Sequence, residues 1–317
     1  MLNRRHVRIK VMQVLFAAYL SDEKPNYRFY EKELLNNINR LHEIYLYLLV
    51  FLNELAYFAE KYDDEMKANL PFEKAFNPNS RFYNNLLISS LKGNKLLDDE
   101  CRKNLVSFNS DDVDLLRKVF VDLKNNEVYK EYIVGDDTDI KNDFEMLAYF
   151  LKFYPFNFTL LDQHFEDAFL NWMDDAKVAV NMAVKSLRIL STEPENQEFI
   201  IPVSNEVDNV VGFSTKLLKL CIENKDYFHE LIVPKIEKWE PTRVPLLDLV
   251  ILNIGLAELM YFETIPVKVS INECIEMAKN YSTPNSRKFI NGVMDSLLFD
   301  LEKSGKIMKK GIGLIDN

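Results

Sequence analysis

The chain has 317 residues, a formal charge of −10 and only 8 glycines. Neither G-x-G-x-x-G nor G-x-x-x-x-G-K-[ST] occurs, which argues against Rossmann nucleotide enzymes and P-loop NTPases. Hydrophobic residues make up 48% and aromatics 12%, enough for sizeable cores, and the length predicts about two domains.

The first element is basic. Arg4, Arg5, Arg8 and Lys10 precede an apolar run from Val11 to Ala18. Gln13 interrupts that run, and bulky Phe16 would stand at the −3 position of a cut after Ala18, so the segment is not read as a cleaved leader. Arg4 and Arg8 share one helical face, with Arg5 adjacent. Unpaired guanidiniums there suit phosphates and stack on bases. A solvated basic end without a partner fits the same pattern.

Residues 22–205 read as several helices, with breaks near Pro25, Pro71 to Pro78, Gly93-Asn94, Gly135-Asp136-Asp137, Pro155, Pro194 and Pro202. Ser110 and Thr138 are expected to cap helices. Residues 22–212 carry a net charge of −14 and the rest of the chain +4, so the average hides two basic ends around an acidic middle. The dense aromatics, among them Tyr45, Tyr47, Phe51, Phe150, Phe165 and Trp172, read as helical core. A base-stacking surface is disfavoured by the negative charge, so any docking there is directed at protein. Asp162, His164 and Glu166 alternate, and residues two apart on a helix point away from each other, so no metal site is expected. His42-Glu43 and His229-Glu230 lack the second histidine of H-E-x-x-H. Asp174-Asp175 suits a helix start. Cys101, Cys221 and Cys274 are far apart, as in a reduced, cytoplasmic protein without disulfides or thiolate metal sites. No nucleophile–base pair stands out; neither a cofactor nor catalysis is expected.

After a further break near Pro241, Leu246 to Phe262 is apolar but contains Asp248, Asn253 and Glu258, which predicts a buried core helix and no membrane span. Ser270-Ile271-Asn272-Glu273 reads as a capping box opening the next helix. Ile271, Ile275 and Ala278 fall on its inner face. Thr283-Pro284 supplies an N-cap and first position for the last helix, with Ile290, Val293 and Leu297 facing inward. Asn285, Lys288, Phe289 and Gly292 lie on a different face. The helix N-terminus and Lys288 suit a phosphate, and Phe289 offers a ring to an unpaired base. An ordinary capped helix fits the same residues.

Together the two ends resemble a known family. Arg4-Arg5-His6-Val7-Arg8 leading into Met12-Gln13-Val14-Leu15-Phe16 is similar to the opening of the transcription antitermination factor NusB. Pro266-Val267-Lys268-Val269-Ser270-Ile271-Asn272-Glu273 resembles its P-x-K-V-A-I-N-E stretch. Ser286-Arg287-Lys288-Phe289-Ile290-Asn291-Gly292-Val293 resembles its S-x-K-F-V-N-G-V, and Trp239, Arg243 and Asp248 through Leu259 fit the segment between. The resemblance implies an all-α fold: a NusB-like bundle of residues 1–21 with 206–317, carrying an additional helical domain at 22–205. It also implies binding of single-stranded, boxA-like RNA together with the ribosomal small-subunit protein that acts as NusE, within the RNA polymerase antitermination complex. Carried over, the RNA surface falls on Arg4, Arg5, Arg8, Asn285, Lys288 and Phe289, and the protein-partner surface on Phe16 and Asp248.

The sequence departs from the family where His6 replaces a common Arg, Asn285 a frequent acid and Asn253 a frequent Arg. The resemblance does not account for residues 22–205. Two other readings stand beside RNA binding. One is a protein-only adaptor whose acidic insert docks a protein; the other is an accessory to ribosomal-RNA methylation, weakened by the missing Gly-rich loop and Pro-Cys pair.

Overall fold

The computed structural model describes residues 2–21, 26–68, 78–109, 112–135, 139–193, 198–202, 210–236, 244–307 and 309. Among them the architecture is all-α, with no strand. The helices are α1 (Arg4–Leu20), α2 (Tyr27–Ala68), α3 (Ser80–Tyr83), α4 (Leu86–Leu91), α5 (Lys95–Lys103), α6 (Val113–Asn125), α7 (Glu127–Val134) and α8 (Ile140–Asn157). They continue with α9 (Thr159–Ala168), α10 (Trp172–Thr192), α11 (Val210–Glu223), α12 (Lys225–Ile236), α13 (Leu246–Tyr261), α14 (Val267–Tyr281) and α15 (Ser286–Lys303). Residues 2–38 with 204–317 form one compact unit and residues 39–203 another. The division falls inside α2, beyond residue 21, so the first turns of α2 belong with the C-terminal helices.

In the first of these units α13 is the central element, packed against α1, α11, α12, α14 and α15. Val250 to Leu259 is buried without interruption, as expected for a helix apolar on every face. Gly255 permits this crowding: a Cβ there would lie 2.6 Å from Met294 Cε and 2.9 Å from Cys274 Sγ. α1 buries Val7, Val11, Val14, Leu15 and Ala18. Asn3 caps it by accepting the His6 amide at 3.0 Å. Its first turn holds basic residues and no acid, the wrong sign for the helix dipole, so α1 depends on tertiary packing. No helix among the described residues is long and apolar enough to cross a membrane.

In the other unit asparagines start the short helices. Asn85, Asn94 and Asn126 each accept a backbone amide two residues on. Gly93, at φ 67°, makes the left-handed turn between α4 and Asn94. The aromatic residues form the core: Phe165 stacks on Trp172 at 4.3 Å between centroids, and Tyr45, Phe51, Phe150 and Tyr154 are buried. The break expected near Pro155 falls at Phe158, between α8 and α9, and Pro155 itself stays helical. It lies in the last turn of α8, where its missing N–H costs only one backbone bond before the helix ends. Asp174 and Asp175 stand in the first turn of α10. His164 meets the Tyr47 hydroxyl at 2.8 Å, and Asp162 accepts the Trp172 indole N–H at 2.8 Å. Among the described residues no group of three His, Cys, Asp or Glu side chains could hold a metal ion. The cysteines are free and buried. Ser110, Thr138, Trp239, Arg243 and the breaks at Pro25, Pro71, Asp136-Asp137, Pro194 and Pro241 lie outside the described residues.

Candidate nucleic-acid interface

The arginines of α1 divide into three environments. Arg8 is only 3% exposed and forms a bidentate pair with the 1%-exposed Glu258 of α13, Nη2 to Oε2 at 3.0 Å. Its guanidinium also lies 5.3 Å from the Phe213 ring and 4.0 Å from Glu273. Arg5 grips Glu273 of α14 with two bonds, Nη2 to Oε1 at 2.8 Å and Nε to Oε2 at 3.0 Å. That pairing holds the Arg5 guanidinium pKa above its usual value. Arg4 is exposed and lies over Phe213 at 5.6 Å. The reading of Arg4 and Arg8 as unpaired guanidiniums on one face, with Arg5 adjacent, is therefore corrected for Arg5 and Arg8. One helical turn from Arg4, Arg8 points into the unit, where a buried carboxylate neutralises it.

Glu258 organises this corner. Besides Arg8 it accepts the Ser270 hydroxyl at 2.9 Å, and its backbone carbonyl accepts Lys309 Nζ at 2.7 Å. The capping box expected at Ser270 is accordingly absent. α14 already starts at Val267 behind Pro266, whose fixed φ suits that position. Ser270 sits in the second turn and faces Glu258, while Glu273 turns to Arg5. On the inner face of α14 the buried residues are Ile271, Cys274, Met277 and Ala278, with Ile275 only half-buried.

The second candidate patch surrounds a cavity of about 350 Å³ where the start of α15 meets the start of α13. Asn285 and Lys288 are exposed on its rim. Phe289 also lines it but is 6% exposed, because it shares the buried face of α15 with Ser286, Ile290 and Val293. Of the two readings of this face, the ordinary capped helix holds for Phe289, a core-edge ring reached only through the cavity. The surface role expected of Asp248 is corrected. At 1% exposure it accepts the Ser282 hydroxyl at 2.6 Å and the Ser286 hydroxyl at 2.7 Å, tying the α14–α15 junction to α13. It supports the cavity from inside and presents no surface to a protein. Phe16 is half-buried on α1. Thr283 does not cap through a backbone amide. Its carbonyl accepts the Ser286 amide at 2.9 Å and its hydroxyl meets that of Ser286 at 2.8 Å, with Pro284 and Asn285 in the intervening turn.

Reading the sequence did not single out Glu258, Ser270 or Glu273 as parts of this constellation. A carboxylate inside the apolar run of α13 was the available signal. Its partner lies 250 residues away.

Fold and site define an all-helical unit in which a basic amino-terminal helix is clamped by ion pairs to carboxylates of the C-terminal helices. Residues 181–299 match the model of the NusB family. It is similar to the transcription antitermination protein NusB of Salinibacter ruber (strain DSM 13855 / M31), with 40% identity over 103 residues, 32% of this chain and 64% of the relative. The protein of the same name from Chloroherpeton thalassium (strain ATCC 35110 / GB-78) is 38% identical over 104 residues, 33% of this chain and 49% of the relative. That of Methylacidiphilum infernorum (isolate V4) is 43% identical over 83 residues, 26% of this chain and 58% of the relative. The chain thus spans about half to two thirds of the length of these relatives. No solved structure matches the chain.

Proposed function

We propose that this protein is a non-catalytic, RNA-binding transcription antitermination factor. It binds boxA-like single-stranded RNA together with the ribosomal small-subunit protein that acts as NusE, and delivers both to the RNA polymerase antitermination complex. The NusB-like unit joins the amino-terminal helix to the C-terminal segment, with the acidic helical region as an addition. One observation carries this reading: the basic helix is held on the family-matching segment by the Arg5–Glu273 and Arg8–Glu258 pairs. In that arrangement Arg4 and part of Arg5 remain open to phosphate, with Lys288 and Asn285 exposed at the α15 cavity. Arg8 then acts through position, keeping α1 in place. The names of the relatives support antitermination as the process.

The test is binding of a boxA-like RNA oligonucleotide to the full chain, with and without the NusE-acting protein, across a salt series. Affinity is expected to fall as salt rises, because phosphate contacts release counterions. Replacing Arg4 and Arg5 together with Ala should weaken it strongly. Unchanged affinity in that double variant would remove the RNA assignment.

A protein-directed adaptor role for the acidic region is favoured by its exposed Leu170 and Met173, each 84% exposed. Co-purification of a protein that still binds when Arg4 and Arg5 are replaced would support it.

A further inference from the structure

Two lysines that lie outside both sequence motifs attach to the ring pair on which Arg4 lies. Phe213 of α11 and Phe262, just beyond α13, make an inclined ring contact, with centroids 5.0 Å apart and planes at 65°. The Arg4 guanidinium lies 5.6 Å from the Phe213 centroid, and Lys216 Nζ lies 4.8 Å from that of Phe262. Lys216 Nζ also reaches the Tyr261 carbonyl at 3.4 Å. From the C-terminal segment, Lys309 Nζ donates to the carbonyls of Glu258 at 2.7 Å and Phe262 at 3.0 Å. The ring pair and the end of α13 thus gather three positive side chains from α1, α11 and the chain beyond α15.

The electrostatic state of Arg4 and Lys216 differs from that of Arg5 and Arg8, whereas burial lowers the Lys309 pKa to about 8 against the attraction of Glu258. Among the described residues neither Arg4 nor Lys216 has a carboxylate within ion-pair distance, whereas Arg5 and Arg8 are neutralised by Glu273 and Glu258. Both rings are buried, at 8% and 9% exposure, so they offer no open face to a base. Their effect is to hold the cations in place through cation–π attraction, which lowers the entropy lost when an anion binds. The amino-terminal end of α1 adds its partial positive charge beside Arg4.

We infer that Arg4, Lys216 and Lys309 form a phosphate-binding platform that takes the backbone of single-stranded RNA, with Lys216 as a direct contact. This rests on the RNA-binding reading above and extends it to α11 and the C-terminal segment, where no sequence motif points. The competing role for both lysines is to cap the carbonyls that end α13. Capping alone would show in stability and not in RNA affinity.

The experiment uses the full chain with Lys216→Ala, Lys216→Glu and Lys216→Arg, titrated with a boxA-like RNA and with oligo(U) across a salt series, alongside thermal unfolding. Loss of one phosphate contact should reduce the slope of log affinity against log salt by about 0.7. Lys216→Glu should weaken binding further, and Lys216→Arg should restore it. A change in melting temperature with RNA affinity and slope unchanged would overturn the platform and leave a capping lysine. If wild type ignores the boxA-like RNA but binds oligo(U) through Lys216, the platform stands and the boxA reading fails. Binding of neither RNA would overturn both.

Discussion

Arg8 and Glu258 form an ion pair between the first helix and the central helix, 250 residues apart and almost wholly removed from water. The pair is completed by the Ser270 hydroxyl and flanked by the Phe213 ring. Such a pair contributes little net stability over an apolar replacement, but leaving one member alone is costly, because the survivor is a buried, uncompensated charge.

Glu258→Ala should therefore destabilise the protein by ~3–5 kcal/mol, measured by chemical denaturation. The joint replacement Arg8→Met with Glu258→Leu should recover most of that loss. If the single and double variants are equally unstable, the cost lies in packing and not in an orphaned charge.

Glu273 sets how much of Arg5 is available. Its carboxylate neutralises a guanidinium that is still 54% exposed. Exposed pairs contribute ~0.2–1 kcal/mol, so Glu273→Gln should raise RNA affinity by up to ~5-fold at low salt while stability changes little. A fall in affinity would mean that the pair orients Arg5 for phosphate instead of competing with it.

Gly255 should not tolerate a side chain. A Cβ would come within 2.8 Å of Met294 Sδ and 2.9 Å of Cys274 Sγ, both in the buried core. Gly255→Ala is expected to cost ~1–3 kcal/mol, since overpacking outweighs the gain in helix propensity. An unchanged or raised denaturation midpoint would show that α14 and α15 yield at no cost.

Acid should loosen the unit containing His42. Burial pushes the His42 imidazole below its ordinary 6.5, against the opposing attraction of Glu100. The unfolded chain then binds more protons than the folded one as pH falls below 6.5, so stability is lost through that window. His42→Gln should flatten the pH dependence of the denaturation midpoint. His164, lowered by burial as well, leaves a residual slope in the same direction. A wild-type slope in the variant would assign the effect elsewhere.

Much of the fold is legible residue by residue. Spacing of apolar residues placed Ile290, Val293 and Leu297 inward, and each is buried. The apolar run from Leu246 read as core helix, and α13 is the center of its unit. The site was less legible. Ser270-x-x-Glu273 satisfies a local capping rule, yet Pro266 starts the helix earlier and both side chains bond to distant partners. Phe289 and Lys288 are adjacent in sequence but lie on opposite sides of the boundary between core and solvent.

Local physics explains the division. Helix content, apolar periodicity and the split between basic ends and an acidic middle depend on neighbours along the chain, so the sequence alone determined them. Which arginine is free, which is neutralised and which carboxylate is buried depend on pairs such as Arg8–Glu258 and Arg5–Glu273. The same holds for Lys216 beside Phe262. Only the tertiary structure decided these, because desolvation and Coulomb attraction act through space, and no local pattern records which distant charge will arrive.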